Sequence, residues 1–118
     1  MQLAFAYQPA ADMPAALAFY RDTLGLSEAW REGTTTVAFE LPGTDVQLMV
    51  DHAPSGGRPG PVFIVDSLVE YHRQHTDDLT WVELPSEIPG GYWAVAADPA
   101  GNPIYVMDQS TSDQLAPG

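Results

Sequence analysis

Residues 12–26 (DMPAALAFYRDTLGL) decide how the first half of the chain folds. Asp12 reads as a helix cap, because its carboxylate can accept an N–H left unpaired in the first helical turn. Pro14 falls inside that turn, where a missing N–H does no harm. Leu17, Tyr20 and Leu24 recur at helical spacing, and Gly25 stops the helix. Before the helix, residues 3–7 read as a short strand ended by Pro9. After it come three extended segments, residues 27–32, 34–41 and 45–51, the last two separated by the turn Pro42-Gly43-Thr44. Val37, Phe39 and Leu41 occupy alternate positions, as do Val46, Leu48 and Val50, which is the period of a half-buried strand. Residues 1–51 therefore read as one βαβββ module.

Residues 52–61 (HAPSGGRPGP) form a Pro- and Gly-rich linker without periodicity, and the pattern then restarts. A strand at 62–65 leads to Ser67 and Glu70, an S-x-x-E capping box that opens a helix from Leu68 to about Thr76. Strands follow near 80–84, 92–97 and 104–108, separated by Pro89-Gly90-Gly91 and Asp98-Pro99-Ala100-Gly101-Asn102. Residues 62–108 are thus a second βαβββ module, and 109–118 read as a flexible tail. The two caps, Asp12 and Ser67, stand about 55 residues apart, the mark of an internal duplication. A single module's helix covers one face of its small sheet, leaving the other to be buried by a second copy or to line a cavity. The fold expected is α+β, two βαβββ modules forming a cupped mixed sheet with the helices on the outer face.

Composition narrows the function. The 118 residues carry 16 acidic and 4 basic side chains, a formal net charge of −12. The basic residues are Arg21, Arg31, Arg58 and Arg73; lysine and cysteine are absent. Nucleic acid and anionic membranes call for clustered cations, so neither is an expected partner. Without lysine there is no Schiff-base chemistry, and without cysteine no disulfide, thiolate nucleophile or cysteine zinc site. The start of the chain lacks the basic and long apolar stretches of a signal peptide, which makes the cytoplasm the expected location. Solubility is the ordinary reading of the charge, and attraction of a cationic ligand the sharper one.

Three phrases carry a resemblance. Ala18-Phe19-Tyr20-Arg21-Asp22-Thr23-Leu24-Gly25-Leu26, Val62-Phe63-Ile64-Val65-Asp66-Ser67-Leu68 and Asp98-Pro99-Ala100-Gly101-Asn102-Pro103-Ile104 occur in order and at suitable spacing across residues 3–108. Together they resemble the vicinal oxygen chelate superfamily, which includes glyoxalase I, extradiol dioxygenases, fosfomycin-resistance enzymes and drug-binding proteins of the bleomycin-resistance type. Its enzymes hold a divalent metal with four His, Glu or Gln side chains projecting into the cup. The resemblance places those positions at Phe5, at Gln47 or Met49, at Gly60 and at Tyr105. Only Gln47 offers a donor suited to such an ion, so no metal and no other cofactor is expected. His72 and His75 are spaced i, i+3 on the second helix, away from the cup, and read as an exposed pair, as does His52 at the linker edge.

With those positions apolar or aromatic, the expected cup is a small-molecule site. Its candidate ligand-binding residues are Phe5, Trp30, Glu40, Gln47, Met49, Tyr92, Trp93, Tyr105 and Met107. Strand alternation puts Gln47 with Met49, Tyr105 with Met107, and Glu40 opposite in phase to Phe39. Tyr92 and Trp93 are adjacent, so one faces the cup and the other the helix; core packing is the ordinary role of each tryptophan, and an exposed edge position that of Glu40. No catalytic residue is assigned. The resemblance to the metal-free bleomycin-resistance type implies a homodimer that sequesters an aromatic or cationic small molecule, a natural-product antibiotic. A metal-independent enzyme using Glu40, Tyr105 or Asp51 as acid or base is the alternative. A metal-dependent member with displaced ligands is a third.

Overall fold

A computed structural model describes residues 1–111 of the chain. The chain divides into two compact units, one of Ala4–Gly60 and one of Pro61 onwards together with Met1–Leu3. The part of the expected tail at 112–118 lies outside the described residues. Both units carry mixed α and β structure, and no described helix is long and apolar enough to cross a membrane.

The first unit contains β1 (Gln2–Ala10) from Ala4 onward, α1 (Met13–Leu17), β2 (Glu28–Glu32), β3 (Thr36–Glu40) and β4 (Gln47–His52). Its strands lie in the order β2-β3-β4-β1, with β1 parallel to β4 and the other pairs antiparallel. Met13, Val37, Phe39, Leu48 and Val50 form the core, with Ala6, Ala10, Leu17 and Tyr20 packed around them. Asp12 caps α1 by accepting from the Ala15 N–H at 3.0 Å. The helix then differs from the expectation, because residues Ala18–Thr23 wind as a π-helix, with Leu24 N–H donating to the Phe19 carbonyl at 2.9 Å. The extra residue in the turn takes Leu24 off the face shared by Leu17 and Tyr20, and Leu24 is 53% exposed. β1 also runs past Pro9, because losing one N–H does not break a register held on both sides, at Gln8 and Ala10.

The second unit repeats this topology with β5 (Gly60–Ile64), α2 (Leu68–Gln74), β6 (Thr80–Ile88), β7 (Gly91–Ala97) and β8 (Pro103–Met107). Here β5 is parallel to β8, and β8, β7 and β6 follow as antiparallel neighbours. His52 and Gly60 belong to strands, so the segment joining the modules is shorter than the 52–61 expected. The core is Val65, Leu68, Ala94 and Val106, with Tyr71, Trp81, Tyr92 and Ile104 against it. Ser67 accepts from the Glu70 N–H at 3.3 Å, the capping contact its spacing implies. β6 continues beyond Leu84 because two register shifts between Trp81 and Ser86 absorb Pro85. In the β7–β8 hairpin Asp98 accepts backbone N–H bonds from Asn102 and Ala100, at 2.8 and 2.9 Å. Those donors, the Asn102 N–H first, hold the Asp98 carboxyl below its ordinary range.

Candidate functional site

In the first unit Ala6 and Ala10 of β1 turn to the helix side, so Phe5 and Tyr7 turn to the other. Leu48 and Val50 do the same for β4, which puts Gln47, Met49 and Asp51 on the face away from the helix. Glu40 pairs with Gln47, Ala38 with Met49 and Thr36 with Asp51, so these β3 residues share that face. Trp30 lies opposite Ala38 and reaches across it. Its indole N–H donates to Gln47 Oε1 at 2.9 Å, and its ring meets the Phe5 ring edge-on, with centroids 5.9 Å apart and planes at 85°. Phe5 and Met49 are buried, Trp30 and Gln47 half-buried and Glu40 exposed. Five of the nine expected site residues therefore belong to one surface.

Beside them lies a polar group that sequence reasoning did not assemble. Asp51 accepts from the Tyr7 hydroxyl at 3.0 Å and from the Thr36 hydroxyl at 2.7 Å. Alternation from Phe5 to Tyr7 and from Gln47 to Asp51 is the signal that could have joined the first two; Thr36 needed the β3–β4 register. Glu32 pairs with Thr36 and joins the same face. The strand residues of this face carry carboxylates and no arginine, lysine or histidine.

The second unit brings together Trp93, Tyr105 and Met107. Trp93 pairs with Met107, and its ring lies 5.3 Å from that of Tyr105 at an angle of 32°. Tyr92 does not join them. It packs on the helix side against the core of Val65, Leu68, Ala94 and Val106, which settles the choice between two adjacent strand residues and removes Tyr92 from the site. Ser86 and Glu83 pair with Trp93 and Val95 and so take the Trp93 side, a placement hidden in the sequence by the β6 register shifts.

The positions that the resemblance assigns to a metal do not fit one. Phe5 and Met49 present no oxygen or nitrogen donor, Gly60 has no side chain, and the Tyr105 ring lies against Trp93. The Gln47 amide oxygen is engaged by Trp30. Among the described residues, no group of three or more His, Cys, Asp or Glu is arranged to hold a metal. His72 packs edge-on to Trp81 and His75 bonds to Asp78 at 3.1 Å, so the helical pair is engaged in separate local contacts. A groove of about 530 Å³ opens elsewhere, on the helix side of the first unit, between Met13, Leu17 and Val37 below and Asp12, Arg31 and His52 at its rim. Two of these polar side chains are already partnered, since Arg31 forms an ion pair with Glu28 and Asp12 caps α1. The Arg31 guanidinium holds the Glu28 carboxyl below its ordinary value.

Residues 2–106 match the model of the Glyoxalase/Bleomycin resistance protein/Dioxygenase superfamily. The chain belongs to this superfamily. Solved structures agree at the level of the superfamily's fold. A crystal structure described as an NAD-dependent benzaldehyde dehydrogenase from Legionella pneumophila superposes with a TM-score of 0.73 at 18% identity, covering 89% of this chain and 97% of that one. Methylmalonyl-CoA epimerase from Mycobacterium tuberculosis gives 0.71 at 17% identity, covering 98% and 92%. A superfamily member from Vibrio splendidus gives 0.67 at 13% identity, covering 88% and 96%. No curated protein matches the chain. Superfamily membership leaves the chemistry open, because one fold carries many activities.

Proposed function

We infer that the protein binds and sequesters a planar, aromatic, cationic small molecule without transforming it, in the manner of a resistance protein against a natural-product antibiotic. The observation that carries this reading is the face of the first unit, where the half-buried Trp30 indole, backed by the buried Phe5 ring, forms an aromatic wall bordered by Glu40, Glu32 and Asp51. Aromatic surface supplies stacking area, and a cation over an indole adds about 0.5–2 kcal/mol. The carboxylates favour a cation and disfavour an anion. Trp93, half-buried beside the buried Tyr105 and Met107, offers a second and smaller aromatic surface. The net charge of −12 acts in the same direction at longer range. A homodimer in the cytoplasm completes the proposal, and sedimentation at micromolar concentration checks the assembly.

Titration with proflavine, a planar cation, tests the ligand class through tryptophan quenching. A Kd below about 100 µM is expected, a binding free energy near −5.5 kcal/mol. 1-Pyrenesulfonate, an anionic arene, should bind at least about tenfold more weakly, and salt should reduce the difference. Trp30→Ala should weaken proflavine binding by about tenfold or more, or about 1.4 kcal/mol. Equal binding of the two probes would sink the cation reading. Recovery of chemically altered probe after incubation would replace sequestration by enzymatic turnover.

A further inference from the structure

We propose that Gln47 is the positioning residue of this face, its amide oxygen fixing the Trp30 indole as a preformed wall on which the ligand stacks. What the wall receives rests on the function proposed above; the clamp itself does not. β2 is an edge strand, and its pairing with β3 shifts register between Glu28 and Trp30. Backbone pairing alone therefore holds the Trp30 side chain poorly. Three things replace it. Ala38, fully buried and small, leaves room for the indole above β3. Phe5 meets the indole edge-on from β1. Gln47, the β4 partner of Phe5, accepts the one polar hydrogen the indole has.

The arrangement has two chemical consequences. With its N–H engaged, Trp30 offers a ligand ring surface rather than a hydrogen-bond donor, so recognition there follows shape and charge. The same amide oxygen is the one metal-suited donor at the positions the superfamily resemblance marks, and the indole occupies it. Orienting a tryptophan thus takes the place of ligating an ion at this residue. Ordering the indole before the ligand arrives also removes an entropic penalty from binding, and its loss should weaken affinity about tenfold.

Indole N–H exchange in the full-length protein reads the clamp without any ligand. The chain has three tryptophans, so three indole signals are expected, and Trp30→Phe identifies the one that matters. Gln47→Met keeps side-chain length and removes the acceptor, whereas Gln47→Glu keeps an acceptor oxygen. Slow Trp30 exchange is expected in wild type and Gln47→Glu, and fast exchange in Gln47→Met. Proflavine affinity, compared at about 1 M salt where the Debye length is about 3 Å, should fall about tenfold in Gln47→Met and stay near wild type in Gln47→Glu. Unchanged exchange in Gln47→Met overturns the proposal, as does fast exchange with undiminished affinity. Should Gln47→Met fail to fold, Trp30→Phe gives the second route: a ring without an N–H should bind proflavine as weakly, and wild-type affinity there overturns the proposal. If wild type binds no proflavine while exchange responds to Gln47 as stated, the cation reading falls and the clamp stands.

Discussion

Asp108→Ala is expected to destabilise the protein by about 3–5 kcal/mol, the sum of backbone groups left without partners at about 1–3 kcal/mol each. Asp108 is fully buried just after β8. Its carboxylate accepts from the N–H groups of Leu68 at 2.6 Å, Tyr92 at 3.0 Å and Ser110 at 3.2 Å, and from the Ser110 hydroxyl at 2.9 Å. Leu68 opens α2 and Tyr92 lies in β7, so one side chain ties the helix start to the sheet. Truncation leaves the Leu68 and Tyr92 N–H groups without their protein acceptor. Asp108→Asn, which keeps the shape and one acceptor, should lose less. Gly91 belongs to the same knot. A Cβ there would come within 2.5 Å of Asp108 Oδ1 and closer still to its backbone, so Gly91→Ala should also cost several kcal/mol. The double variant relieves the Oδ1 part of that clash but keeps the backbone part, so its loss should fall only slightly below the two losses added together. Urea denaturation measures all four; a loss below about 1 kcal/mol for Asp108→Ala contradicts the role assigned to it.

The first unit's counterpart is Phe39→Ala, with an expected loss of about 3–5 kcal/mol. Phe39 is 0% exposed, packs in the cluster of Met13, Val37, Leu48 and Val50, and faces the Tyr20 ring at a centroid distance of 6.0 Å. Truncation removes its transfer free energy and leaves a cavity that β3, hydrogen-bonded on both sides, cannot collapse to fill. Leu24→Ala is the control, since the π-helical turn leaves Leu24 mostly exposed; its loss should stay within about 0.5 kcal/mol. A regular α-helix through residues 13–24 would instead make Leu24 a core residue and its truncation costly. Thermal unfolding of the pair therefore tests both the core and the turn. Similar losses for the two variants would refute the π-helical placement.

Which residues share a face was largely legible along single strands. Period-two alternation joined Gln47 to Met49 and Tyr105 to Met107, and set Glu40 against Phe39; the paired strands carry the same phases. Tyr92 and Trp93 were not resolvable that way, because adjacent residues satisfy either phase until the core they pack on is known. The π-helical turn was equally hidden, since the spacing of Leu17, Tyr20 and Leu24 suits an ordinary helix.

Helix caps, turns and the repeated βαβββ order depend on residues within a few positions of one another, and the chain alone specifies them: Asp12 with Ala15, Ser67 with Glu70, Asp98 with Asn102. The candidate site and the buried carboxylate depend on distant pairs. Trp30 meets Gln47 across 17 positions, Leu68 meets Asp108 across 40, and Tyr7 meets Asp51 across 44. Strand register and bulges decide those meetings, and a shift of one residue would send every side chain to the opposite face. Only the folded arrangement could therefore show that Gln47, one of two residues the resemblance offers for a metal position, accepts a hydrogen bond from Trp30.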